Sequence, residues 1–119
     1  MNRILRALNP TFGLCCLLMA GLCHAQTECS APDAPSIPNG DTASEQELVN
    51  AAALFKAYQQ ELIAFRECLT SVEQEYGEDI TVQLQRRLLG QHNESVEDEE
   101  SLAAEFNDAV RAYRAANED

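Results

Sequence analysis

Few side chains in this sequence have the types and spacing to do chemistry, and most of them fall in one short stretch. His92 and Ser95 stand three residues apart inside the acidic run Glu94, Glu97, Asp98, Glu99 and Glu100. An imidazole near a hydroxyl is the beginning of a base–nucleophile pair. A hydrolase also needs a third group to orient the base, and no spacing here supplies one. The same acids with His92 form a candidate low-affinity site for a divalent metal, since Glu94 and Asp98 are four apart and share a helix face. No EF-hand loop surrounds them, however, and His92 has no second histidine at helical spacing. Such a run reads first as a solvated helix face whose charges repel one another. Asn93-Glu94-Ser95 matches a glycosylation acceptor, a tripeptide common by chance. Gly-rich phosphate loops, CxxC pairs and basic patches do not occur in the sequence. The reading therefore assigns no catalytic residue, no metal ligand and no cofactor.

The other reactive side chains are the cysteines, and their meaning depends on the amino terminus. Arg3 and Arg6 precede an apolar run from Phe12 to Cys23 that closes on Cys23-His24-Ala25. This is the basic, apolar and small-x-small order of a secretory signal peptide, with the cut expected after Ala25. The run falls short of the roughly 20 residues that span a bilayer. A retained anchor is the alternative, as is a lipoprotein signal acylated at Cys23 or Cys15, although no small residue directly precedes either cysteine. Removing residues 1–25 leaves Cys29 and Cys68 as the only cysteines, and two cysteines in an oxidising compartment predict one disulfide. It also leaves six basic residues against 20 acidic ones, a net charge of −14. Such a surface repels nucleic acid and anionic lipid. Neither is expected as a partner, and stable membrane insertion is not expected once the signal is gone.

These residues are positioned by three elements. Residues 26–43 form a strap in which Pro32, Pro35 and Pro38 recur at the polyproline period, with Ile37 as a lone apolar side chain and Asn39-Gly40 as a turn. A first helix is predicted over 44–76. Ser44 and Glu47 make a capping box, and Leu48, Ala51, Phe55, Tyr58, Leu62, Phe65, Leu69, Val72 and Tyr76 alternate steps of three and four, the pattern of a helix–helix seam. Gly77 stops it. A second helix is predicted over 79–117, capped by Asp79, with its seam through Val82, Gln85, Leu89, His92, Val96, Glu99, Ala103, Phe106, Val110 and Tyr113. Gln85, His92 and Glu99 are polar defects in that seam, and Leu84, Leu88 and Leu102 flank it. Gly90 precedes Ser95-Val96-Glu97-Asp98, which resembles a fresh helix start. The segment is thus one long helix, the reading favoured here, or two with a break near Gly90. The aromatic residues beyond the signal, Phe55, Tyr58, Phe65, Tyr76, Phe106 and Tyr113, all lie on the seams and read as core rather than as a cofactor slot.

The fold class expected is all-α: an antiparallel, coiled-coil-like two-helix hairpin with a Pro-rich amino-terminal strap. Cys68 lies 24 residues past Ser44, or about 36 Å along a helix. The 15 steps from Cys29 to Ser44 reach about 46 Å in polyproline II. The strap can therefore turn back along the first helix and bond Cys29 to Cys68, a useful staple for so small a core.

The motif Cys29-x-x-Pro32-x-x-Pro35-x-Ile37-Pro38-x-Gly40, followed by a helix closing on Glu67-Cys68-Leu69, resembles a group of small proteobacterial secreted or periplasmic helical proteins. Phe106-Asn107 and Val110-Arg111-Ala112-Tyr113 resemble the same group. The resemblance implies a bacterial periplasmic setting and attaches no activity. The function expected from the whole sequence is that of a non-enzymatic periplasmic or secreted protein acting through contact with a protein partner or with itself. The alternative is divalent-metal binding by the acidic segment 92–100.

Overall fold

Ser44 accepts a hydrogen bond from the Glu47 amide at 3.3 Å and its own amide donates to the Glu47 carboxylate at 2.7 Å, so both halves of the capping box are formed. From that cap, α1 runs Glu45–Tyr76. It is followed by a single 3₁₀ turn, Gly77–Asp79, and by α2, Val82–Asn117. The computed structural model describes residues 28–118, and all regular structure among them is helical. The signal-peptide reading of residues 1–25 and its cleavage site lie outside the described residues.

The helices are antiparallel. Tyr58 and Leu62 pack with Leu102, while Phe65 and Leu69 pack with Leu88, so numbers rise along one helix as they fall along the other. Phe55 stacks with Phe106 at 6.2 Å between ring centres.

The connection is longer than the short turn expected. Gly77 takes a positive φ of 51°, a conformation that favours glycine. Asp79 belongs to the 3₁₀ turn and does not cap α2. Thr81 does, its hydroxyl accepting from the Leu84 amide at 3.2 Å. The β-branched Ile80 and Thr81 stay extended, which suits their restricted side chains, and Ile80 tucks against the Phe65–Leu69–Leu88 cluster. Tyr76, at the last turn of α1 and six residues before α2 starts at Val82, is exposed rather than core.

No break occurs at Gly90. Helix α2 is continuous, and a methyl group at Gly90 would meet nothing. Ser95 is not a helix cap either: it lies mid-helix and is buried, 3% exposed. The α2 seam itself is rotated from the one expected. Its buried positions are Leu88, Ser95, Leu102 and Ala109, a strict seven-residue repeat, whereas Val82 and Leu89 are 60% and 59% exposed. Small Ser95 and Ala109 let the chain approach closely, and the polar Gln85 and His92 are turned out to solvent.

The strap explains the rotation. Cys29 is bonded to Cys68 with their Cα atoms 5.8 Å apart. Ile37 packs on the Tyr58–Leu62–Leu102 cluster. Gly40 is buried so close to Ala109 that a side chain there would run into the Ala109 carbonyl. The strap thus lies along one edge of the hairpin, touching both helices, and α2 presents Leu88, Leu102 and Ala109 toward it. Asn39 anchors the turn: its carbonyl accepts from the amides of Thr42 and Ala43, at 3.2 and 2.9 Å, and its side chain from Asp41.

Candidate functional site

With the strap on one edge of the hairpin, the opposite edge is open. Its floor is a polar ladder between the helices. Arg66 of α1 donates through Nε to the Ser95 hydroxyl at 2.9 Å, through Nη2 to the Ser95 carbonyl at 2.8 Å, and through Nη2 to Glu99 at 2.8 Å. Gln59 donates to the other Glu99 oxygen at 2.9 Å. The Ser95 hydroxyl is itself donated to the carbonyl of His92 at 2.6 Å. Every partner in this half-buried network is satisfied, which such polar groups require if they are not to destabilise the fold. The Arg66 hydrogen bond, helped by Gln59, holds the Glu99 carboxyl below its usual range. Burial, with Asp98 and then Glu99 nearby, pushes the Tyr58 phenol up.

The ladder places the residues that attracted attention in the sequence. Glu99, a defect when read as spacing, is a structural ion-pair partner of Arg66. Ser95 has its hydroxyl engaged on both sides, by Arg66 and by the His92 carbonyl, so it is not presented as a nucleophile to the exposed His92 ring. Glu94, Glu97, Asp98 and Glu100 are exposed and point around the helix rather than inward to one centre. Among the described residues no group of three or more His, Cys, Asp and Glu side chains is placed to hold a metal ion. Sequence spacing missed Arg66, which stands at the edge of the α1 seam. Its only signal was a cation on the flank of an apolar stripe.

Above the ladder the open edge holds a groove of about 330 Å³, lined by Leu69, Thr70 and Glu73 from α1 and by Gln85, Leu89 and His92 from α2. Leu89, which lines it, is 59% exposed, Val82 one heptad before it is 60% exposed, and Ile63 on α1 is 46% exposed. Continuing from Val82 and Leu89 at the same seven-residue interval, Val96, Ala103 and Val110 are half-buried along α2. The open edge is therefore an apolar stripe backed by a rigid polar ladder, a shape suited to another helix rather than to a small reacting molecule. No helix among the described residues is long and apolar enough to cross a membrane. No protein-family model, curated protein or solved structure matches the chain.

Proposed function

We propose that this protein is an exported, non-enzymatic helical module that works by protein–protein contact through the open edge of its hairpin. The observation that carries the reading is the asymmetry of the two edges. One is closed by the strap through Cys29, Ile37 and Gly40, while the other leaves Val82, Leu89 and Ile63 in solvent. Exposed large apolar side chains aligned on one face are the usual mark of an interaction surface. The signal-like amino terminus, the disulfide and the resemblance over Cys29–Leu69 support the periplasm as the setting. The engaged Ser95 hydroxyl, turned away from the exposed His92 ring, favours contact over catalysis.

The test is methyl NMR on the oxidised protein, titrated with periplasmic extract fractions and with the protein itself at rising concentration. The expected result is shifts or broadening at Val82, Leu89 and Ile63, with Ile37 in the strap unchanged. Signals that stay fixed at the open edge under every condition would overturn the reading. Intact mass from the periplasm checks export, the expected species beginning at Gln26.

A further inference from the structure

The rotation of α2 leaves that helix with two apolar stripes. One is buried in the hairpin. The other, Val82, Leu89, Val96, Ala103 and Val110, repeats every seven residues along the open edge. A strict seven-residue apolar repeat selects a left-handed coiled-coil partner. Beside it runs a second file at the same interval, Arg86, Asn93, Glu100, Asn107 and Arg114, all exposed. Among the described residues neither Arg86 nor Glu100 makes an ion pair within the chain.

We propose that a second copy of this chain occupies the open edge, with the two α2 helices packed antiparallel about a two-fold axis beside Asn93. This deepens the contact reading above and rests on it. The order of charges in the bordering file carries the assignment. Arg86 and Glu100 each lie seven residues from Asn93, in opposite directions. A two-fold through Asn93 therefore brings Arg86 of one copy to Glu100 of the other, twice, and sets the two Asn93 amides beside each other. The same operation carries Leu89 to the neighbourhood of Val96, and Val82 to that of Ala103, so the apolar layers stay in register. A parallel pair would instead carry the two bordering files to opposite sides of the seam, where Arg86 and Glu100 of one copy could not meet those of the other. The chain as a whole carries 20 acids against 8 bases, which works against self-association. Where the two α2 helices overlap, over residues 82–104, the bordering file is Arg86, Asn93 and Glu100 and adds no net negative charge. An isologous interface of this kind is self-complementary and closes at two copies.

The test is sedimentation of the oxidised mature chain across concentration for wild type, Arg86→Glu, Glu100→Arg and the double variant, with circular dichroism confirming that each is folded. Arg86 and Glu100 are 14 residues apart, about 21 Å along one helix, so they cannot pair within a chain. The expected result is a wild-type dimer, weakened about tenfold or more by either single reversal because each change acts twice, and restored by the double variant. A dimer whose affinity ignores these charges would overturn the proposal, because another face or register would then be holding it. A wild type that stays monomeric at every concentration would overturn it too. In that case methyl shifts at Leu89 and Ile63 on adding a foreign periplasmic fraction would leave the contact reading standing, and their absence would remove both.

Discussion

Arg66 grips Ser95 twice, its Nε on the hydroxyl and its Nη2 on the carbonyl of the same residue, while that second nitrogen also reaches Glu99. One guanidinium on α1 thereby fixes both the rotation and the axial position of α2 at mid-length. Apolar side chains alone tolerate sliding, whereas a fork of directed hydrogen bonds does not. Arg66→Ala should lower stability by about 2–3 kcal/mol, because it leaves the buried Ser95 hydroxyl oxygen and one oxygen of half-buried Glu99 without a donor. Gln59→Ala, which removes one neutral donor, should cost about 1 kcal/mol. Urea unfolding followed by circular dichroism measures both.

Acid should weaken the same ladder. The Glu99 carboxyl is held below its ordinary value of 4.5 by Arg66 and then Gln59. A carboxyl with a lowered folded-state pKa adds stability that is fully present above the unfolded value and is lost as pH falls through the folded one. The stability gap between wild type and Glu99→Gln should therefore be open at neutral pH and should close progressively below pH 4.5. Glu47, lowered by the Ser44 amide and hydroxyl, adds a change of the same sign at the start of α1. Unfolding curves taken from pH 7 downward on both proteins give the comparison.

Closing the strap should stabilise the fold as a whole. The Cys29–Cys68 bond spans 39 residues, for which the chain-entropy argument gives about 4 kcal/mol as an upper figure. Cys29→Ser with Cys68→Ser should lower the urea midpoint and speed amide exchange at Tyr58 and Leu62, which lie under Ile37. Gly40→Ala tests the other end of the strap with the disulfide intact. Its methyl meets the Ala109 backbone, so the turn must lift, at about 1–3 kcal/mol.

Gly90→Ala should act in the opposite direction. The position is helical and exposed, with free space around it, so the substitution should raise stability by about 0.5–1 kcal/mol through helix propensity alone. A loss of stability would indicate a break in α2 at this point.

The first helix and the strap were legible because each follows a single rule. Apolar steps of three and four define the α1 seam, and a cysteine, three prolines and an isoleucine define a segment able to reach Cys68. The second helix was harder to read for a physical reason. It carries two apolar files side by side, Leu88-Ser95-Leu102-Ala109 and Val82-Leu89-Val96-Ala103-Val110, and periodicity cannot choose between adjacent files of the same period. The choice is made by what lies opposite: Cys29, Ile37 and Gly40 on one edge and the Arg66 fork on the other, all remote in sequence. For the same reason Ser95 looked like a helix start and Glu99 like a flaw. Their partner is 29 to 33 residues away, on another helix. Asp79 was read as the cap of the second helix, and the packing of Ile80 moves the cap to Thr81.

The disulfide also divides the molecule mechanically. It closes a covalent ring that holds the strap and the first three-quarters of α1, while the last turns of α1 and all of α2 lie outside it. Pulled by its two ends, the oxidised chain can extend only through the roughly 50 described residues beyond Cys68, a contour of about 170 Å, and the 39 residue steps inside the ring stay hidden from the force. The hairpin would yield by peeling α2 away from its carboxyl end, starting where Gly40 meets Ala109, and leave behind a small closed loop that bears tension through sulfur rather than through packing.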